Sequence, residues 1–178
     1  MKRFVSILLL PILVSLLVPQ GVFSRTQDNE FVRTANYFLL SGSNLEKPQN
    51  IDILSKHDLI VIPVEAQVYN KPFFKEVRKR NPDIIILPYI ATVSWNHLYW
   101  NDPLHKKLFS GIQDSYWLTD GNGGKTSVWP NTNALNLNTA WADHLSSFVD
   151  TQVLSSGLWD GVFYDEVQDS IRDRKSVV

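Results

Sequence analysis

The stretch IIILPYIA, residues 84–91, decides the fold class because its apolar run is continuous. Two similar stretches precede it, LIVIPV at residues 59–64 and ANYFLL at residues 35–40, and the three begin 24 and 25 residues apart. A strand that is apolar along its whole length is typical of a parallel sheet that is covered on both faces. The spacing therefore predicts three parallel strands, each buried on both faces.

The segments between these strands have the pattern of helices. One helix is predicted to begin at Pro48, with Ile51 and Leu54 on its apolar face. A second is predicted to begin after Asn70 and to end before Pro82, which cannot continue a helix. Strands that alternate with helices at this spacing indicate βαβ units.

The fourth unit is longer than the others. A helix is predicted over residues 102–118, followed by the clearest helix of the chain over residues 139–156, which has a single apolar stripe. Asn138 can cap the second of these helices, and Gly157 can end it. The apolar stretch WDGVFY, residues 159–164, then predicts a fourth strand.

Four βα units over residues 35–178 predict an α/β fold, a partial barrel that corresponds to the N-terminal half of a (β/α)8 barrel. A complete barrel has eight units and about 250 residues, so we expect this reading frame to be truncated. The alternative is a small open doubly wound sheet with a nucleotide ligand. Residues 41–44, SGSN, argue against it, because a nucleotide-binding loop needs three glycines at G-x-G-x-x-G spacing. A half barrel would also expose two sheet edges, through which the chain could self-associate.

Residues 1–24 have the pattern of a secretory signal peptide. Lys2 and Arg3 precede an apolar run from residue 4 to residue 18, and Ser24 offers a small residue for cleavage. A membrane anchor is the alternative, but this run of about 15 residues is shorter than the roughly 20 that a spanning helix needs. We therefore expect an exported protein with a flexible lead-in at residues 25–34 and no membrane span after cleavage.

Composition excludes several classes of partner and site. The formal net charge of −1 argues against nucleic acid as a partner, because phosphate binding needs an excess of basic residues. The absence of cysteine excludes disulfides, thiolate zinc sites and cysteine nucleophiles. The four histidines do not have the spacing of a ligand set, so we expect neither a metal nor a cofactor.

Asp165 and Glu166 are the strongest candidates for catalysis. They close the fourth strand, and the active sites of barrels lie where the strands end. Two carboxylates after an apolar strand are costly to bury unless they are paired or lie in a cleft; the alternative is that both simply meet solvent. Because neighbouring residues of a strand point to opposite faces, we expect at most one of them to face the barrel mouth.

Further candidates follow the second and third strands. The loop after the third strand interleaves aromatic and polar side chains, which could stack on sugar rings and bond to hydroxyls, or could pack the loop onto the barrel rim. These candidate substrate-binding residues are Trp95, Asn96, His97, Tyr99 and Trp100. Glu65, after the second strand, is either a substrate-binding residue or a solvated strand end. The remaining tryptophans are expected in the core: Trp117, Trp129, Trp141 and Trp159.

The segment that leads into the fourth strand resembles a known family. ALNLN at residues 134–138 and WDGVFYDEV at residues 159–167, with the helix between them, resemble the passage into strand four of hypothetical glycoside hydrolases with a TIM barrel. Barrel glycosidases of the α-amylase and α-galactosidase clans have an aspartate nucleophile at this strand end, which implies that role for Asp165. Chitinase-like barrels have D-G-x-D-x-D-x-E here, and Phe163 and Val167 depart from that pattern.

The resemblance implies an exported glycoside hydrolase that acts on a polysaccharide or oligosaccharide. Such hydrolysis needs a second carboxyl group, for which Glu166 and Glu65 are the candidates in this chain. In the α-galactosidase-like arrangement the acid comes from a later strand, which would leave the catalytic set incomplete. A non-catalytic carbohydrate-binding or cell-envelope protein on the same scaffold is the alternative.

Overall fold

A computed structural model describes residues 33–167. The predicted signal peptide, most of the lead-in and the tail after Val167 lie outside the described residues.

Four parallel strands form a half-barrel in the described part of the chain. Across the sheet they are β1 (Ala35–Tyr37), β2 (Leu59–Pro63), β3 (Ile85–Ala91) and β6 (Phe163–Asp165). The predicted α/β partial barrel is thus confirmed. The strands follow one another in chain order, without the reversal that defines a doubly wound sheet.

A short antiparallel ribbon lies outside this sheet. It pairs β4 (Ser94–Asn96) with β5 (Thr132–Ala134), and Trp117 forms an isolated bridge with Leu135 beside it. The ribbon lies in the long connection between β3 and β6, which the sequence had not predicted to contain paired strands. Its two strands have three residues each, and strands this short give no periodic signal in the sequence.

Five α-helices connect the strands within residues 33–167: α1 (Pro48–Leu54), α2 (Ala66–Tyr69), α3 (Lys71–Arg80), α4 (Pro103–Ser110) and α5 (Thr139–Phe148). The side chain of Asn138 caps α5, as predicted, by accepting a hydrogen bond from the Trp141 amide at 2.9 Å. Beyond α5 the chain continues as a π-helical turn at Val149–Val153 and a 3-10 turn at Leu154–Ser156. Gly157, with a φ of 70°, ends this run as predicted.

The helix predicted over residues 102–118 is shorter than expected. It ends at Ser110, with Gly111 as its C-cap. Beyond a 3-10 turn at Asp114–Tyr116 the chain is extended, because Leu118 donates its amide to the carbonyl of Ala134 at 2.9 Å. Pairing with the β5 segment therefore replaces the helix that local propensity favoured.

The helices cover one face of the sheet. Along β3, Ile86 and Ile90 are buried in the main hydrophobic core, whereas Leu87 and Tyr89 are only partly buried. The expectation that the strands are buried on both faces was therefore wrong for β3, and also for β1 and β6, whose residues are exposed or only partly buried. Leu87 and Tyr89 point to the other, concave face of the sheet.

The amino-terminal edge of the sheet is tied together by one carboxylate. Asp160 accepts hydrogen bonds from the amide of Ile86 at 2.8 Å and from the guanidinium of Arg78 at 3.0 Å. Arg78 also donates to the carbonyl of Leu158 at 2.8 Å. These contacts join α3, β3 and the segment that leads into β6.

Replacement of Asp160 by alanine is expected to lower the free energy of unfolding by about 1–2 kcal/mol, because the Ile86 amide loses its acceptor. Urea denaturation followed by fluorescence measures this change. The matched control is Asp83→Ala, since Asp83 is exposed at the same edge of the sheet. Equal stability of the two variants would contradict the structural role of Asp160.

Candidate functional site

The carboxylate of Asp165 lies at the carboxyl end of β6, on the concave face of the sheet. Phe163 pairs with Tyr89 across β3 and β6, and Asp165 follows Phe163 by two residues, so all three share this face. The hydroxyl of Tyr89 donates to Oδ2 of Asp165 at 2.9 Å, and that of Tyr37 lies at 3.5 Å from the same oxygen. Oδ1 accepts from the backbone amide of Glu166 at 2.8 Å. The carboxylate is therefore half-buried and held by several donors.

The aromatic rings around Asp165 contact one another. Tyr37 packs edge-on against Tyr89 and Phe163, with ring centroids 5.9 and 5.6 Å away, and Phe163 stacks on Tyr89 at 6.4 Å. The side chain of Tyr37 is 50% exposed. These rings form a partly open aromatic wall beside the carboxylate.

Both tyrosines remain protonated over the ordinary pH range. Burial, and then the hydrogen bond to Asp165, raise the pKa of Tyr89 far above its usual value. Burial and the charge of Asp165 likewise raise the pKa of Tyr37. The hydroxyl of Tyr89 is thus a permanent donor to the carboxylate.

The backbone turns sharply directly after Asp165. Glu166 has a φ of 61°, a left-handed conformation that is uncommon for residues other than glycine. Thr92 anchors the turn, because its amide and its hydroxyl donate to the carbonyl of Asp165 at 3.1 and 2.7 Å. Because of this turn, the carboxylates of Asp165 and Glu166 bond to different partners.

The Glu166 carboxylate is bound by the antiparallel ribbon. Ser94 of β4 contacts Oε2 at 2.6 Å, and the indole of Trp129, just before β5, donates to Oε1 at 2.5 Å. Trp129 had been expected in the core, but its side chain is 38% exposed. Glu166 therefore connects the end of β6 to both sides of the ribbon.

The loop after β3 holds its aromatic residues in two different ways. Trp95 is only 3% exposed and belongs to the main core, so its ring does not fit the predicted role in a sugar site. Trp100 packs on that core and stacks on His105, with ring centroids 5.1 Å apart. For these two residues the structure agrees with the alternative that the aromatics pack the loop onto the barrel. Tyr99 differs, because its side chain is 79% exposed.

The polar candidates of this loop are bound by the protein itself. The side chain of Asn96 accepts from the amides of Leu98 and Tyr99 at 2.9 and 3.1 Å, which shapes the turn. His97 is exposed and contacts the side chain of Asn133 of β5 at 2.6 Å. Their binding roles stay predictions.

Glu65 lies at the end of β2, where it precedes α2. Its side chain is partly buried, and its carbonyl accepts from the amides of Val68 and Tyr69. Within residues 33–167 its carboxylate is not joined to Asp165 or Glu166 by a hydrogen bond. The structure thus brings together Asp165 and Glu166, but not Glu65, in one bonded arrangement.

A buried pair stabilises the far end of the same loop. Asp102 caps α4 by accepting from the amides of Leu104 and His105, at 2.9 and 3.1 Å, and it also bonds to the ring of His105. Burial alone would raise the pKa of Asp102. The hydrogen bond and charge of His105, together with the two amides, outweigh it and hold this pKa below its usual value.

Sequence reasoning missed three residues of the site: Tyr37, Tyr89 and Trp129. Tyr37 and Tyr89 could have been found, because each is a residue with a polar hydroxyl near the carboxyl end of a predicted strand. Trp129 carries no such signal, since the ribbon that presents it was not predicted. The site therefore depends on a connection whose pairing is set by long-range contacts.

Other features of the described residues lie apart from this site. A cavity of about 590 Å³ opens on the helix side of β6 and is lined by Tyr164, Val162 and residues of α5 and the turns that follow it. Burial, and then the charge of Asp150, raise the pKa of Tyr164. In the part of the chain that the structure covers, no group of three His, Asp or Glu side chains is placed to hold a metal ion. No helix in residues 33–167 is long and apolar enough to cross a membrane.

Similarity to known proteins is found among solved structures. No model of a protein family matches the chain, and no curated protein matches it either. Among solved structures, it is similar to the glycoside hydrolase domain of PelA from Pseudomonas aeruginosa, with a TM-score of 0.49 and 13% identity. It is also similar to a noncanonic maltogenic α-amylase, AmyB, from Thermotoga neapolitana, with a TM-score of 0.47 and 13% identity.

These matches cover 75% and 76% of this chain, but 44% and 39% of the two structures. The chain therefore spans less than half the length of either structure. At this identity and TM-score the likeness does not extend to site residues or to a reaction.

Replacement of Glu166 by alanine is expected to lower the free energy of unfolding by about 2 kcal/mol, because buried Ser94 and the indole of Trp129 lose their acceptor. Glu166→Gln, which keeps one acceptor oxygen, should lose less. Urea denaturation measures both, with Val167→Ala as the control, since Val167 is the 64% exposed neighbour. If Glu166→Ala were as stable as Val167→Ala, the conclusion that Glu166 stabilises the contact between β6 and the ribbon would be wrong.

Protonation of Asp102 at low pH should lower the free energy of unfolding. Because its pKa is lower in the folded than in the unfolded protein, its contribution is present above about pH 4 and is lost as the pH falls through the folded value. Asp102→Asn should therefore be less stable at pH 7 and should lose less stability between pH 5 and pH 2.

Thermal unfolding followed by circular dichroism across this pH range tests the prediction. Asp114→Asn serves as the control, since Asp114 is exposed in the same connection. Parallel pH profiles for the wild type and Asp102→Asn would exclude this role for Asp102.

Proposed function

We propose that this chain is an exported glycoside hydrolase in which Asp165 acts as nucleophile or general base. The observation that carries the proposal is the position of its carboxylate, which is half-buried at the carboxyl end of β6 and bonded to Tyr89 at 2.9 Å. Active sites of (β/α) barrels lie at this end of the strands. An oriented carboxylate in a partly apolar surrounding suits attack on an anomeric carbon, or removal of a proton from a water that attacks this carbon, while an acid protonates the leaving oxygen.

The aromatic wall supports a carbohydrate as the substrate. Tyr37, Tyr89 and Phe163 share the face of Asp165, and the half-exposed ring of Tyr37 offers a surface on which a sugar could stack. Ligand sites commonly combine such apolar walls with a few placed polar groups. The exposed side chain of Tyr99, with Asn96 and His97 beside it, is a proposed outer contact for a longer glycan.

Glu166 is the proposed second carboxyl group. The Trp129 indole can only donate, so Oε1 of Glu166 is an acceptor. As a general acid, Glu166 would protonate the oxygen of the leaving group while Asp165 acts at the anomeric carbon. Glu65, which precedes α2 at the end of β2, is the alternative second carboxyl group. Export rests on the predicted signal peptide at residues 1–24.

A non-catalytic carbohydrate-binding protein is the second candidate. It is favoured by the engagement of both Glu166 oxygens with the ribbon, which gives that carboxylate a structural role. Such a protein would keep the aromatic wall and lack a usable acid.

Asp165→Asn separates the two functions. The full chain is assayed with a panel of 4-nitrophenyl glycosides and polysaccharides, and release of nitrophenol or reducing ends is measured. For a hydrolase, the substitution should lower the rate by roughly 10³-fold or more while binding to the same polysaccharides persists. Asp83→Asn, which lies just before β3 at the amino-terminal ends of the strands, should retain the wild-type rate.

Hydrolysis that survives in Asp165→Asn would exclude Asp165 as the catalytic carboxylate. Polysaccharide binding by the wild type without any hydrolysis would support the binding protein instead.

A further inference from the structure

We propose that Tyr89 is a positioning residue whose hydroxyl fixes the orientation of the Asp165 carboxylate. The inference rests on the proposed function, since it assigns Asp165 its chemical task. It concerns a residue that touches the carboxylate and is not itself proposed to touch the reacting atoms.

The hydroxyl of Tyr89 is held in place by its surroundings. β3 is bonded on both sides, to β2 and to β6, so the backbone of Tyr89 cannot shift without breaking two strand pairings. Its ring packs against Phe163, with centroids 6.4 Å apart, and against Tyr37, with centroids 5.9 Å apart. A donor fixed in this way needs no reordering when the carboxylate acts.

Tyr37 cannot replace Tyr89 in this role. It belongs to β1, which has a strand partner on one side only among the described residues, and its side chain is 50% exposed. Its hydroxyl lies 3.5 Å from Oδ2 of Asp165, at the limit of a hydrogen bond, whereas that of Tyr89 lies at 2.9 Å. The hydroxyl of Tyr89, which makes the shorter contact and is better packed, is therefore the one that orients the carboxylate.

The chemistry of the contact sets its direction. A carboxylate that accepts a hydrogen bond from a phenol disfavours ionisation of that phenol. Burial, the hydrogen bond to Asp165 and the charge of Asp165 raise the pKa of Tyr89 in this way. The contact can therefore be followed through the ionisation of Tyr89.

Tyr89→Phe tests the proposal by activity. The variant keeps the ring and loses the hydroxyl, so kcat should fall roughly tenfold with little change in KM. The control is Tyr164→Phe, which removes a hydroxyl from the opposite face of β6 and should leave kcat and KM unchanged. A kcat of Tyr89→Phe that matches the control would overturn the proposal.

A titration that does not need activity separates this proposal from the proposed function. Alkaline titration of the full chain, followed by tyrosinate absorbance, should show a late-ionising tyrosine that is missing in Tyr89→Phe and ionises at lower pH in Asp165→Asn. A wild type without hydrolysis but with these shifts would overturn the function and retain the coupling. Identical titration curves for the wild type and Asp165→Asn would overturn the coupling, whatever the activity.

Discussion

The rest of the structure depends on parallel pairing of the strands in chain order. Each parallel connection must cross from one end of the sheet to the other, and right-handed crossovers place the connecting helices on one face. The sheet therefore has a helix-covered face, with Ile86 and Ile90 in the core, and a concave face that carries Tyr89 and Asp165. It also brings the carboxyl ends of all four strands to one edge, where Asp165 lies.

At that edge, two consecutive residues lie in different chemical environments. Asp165 belongs to the regular strand and faces the tyrosines, whereas Glu166 adopts a left-handed backbone and reaches the ribbon. Such a conformation costs of order 1–3 kcal/mol in a residue other than glycine and persists where neighbours over-determine it. Here Thr92, Ser94 and Trp129 are those neighbours. Strained residues of this kind cluster at functional sites.

The fold could be predicted largely from periodicity, and the site only in part. Continuous apolar runs located β2 and β3 to within a residue or two, because buried strands leave a strong local signal. The strand end at Asp165 and Glu166 followed from the same pattern. The ribbon could not be predicted, since pairing of β4 with β5 joins residues almost 40 positions apart through elements of three residues. Trp95 was mispredicted for the same reason. A tryptophan among polar residues suggests a ligand contact, but residues that are distant in the sequence bury this one in the structure.

The alternation along β3 has a consequence for protein engineering. Side chains that point to the helices determine how well the core is packed, whereas Tyr89 and its neighbours on the other face contribute little to that core. Side chains that face the core and side chains that face Asp165 therefore alternate along one strand. A library that varies residues 37 and 163 would sample new surfaces beside the carboxylate while keeping the Tyr89 hydroxyl and the packing of the core.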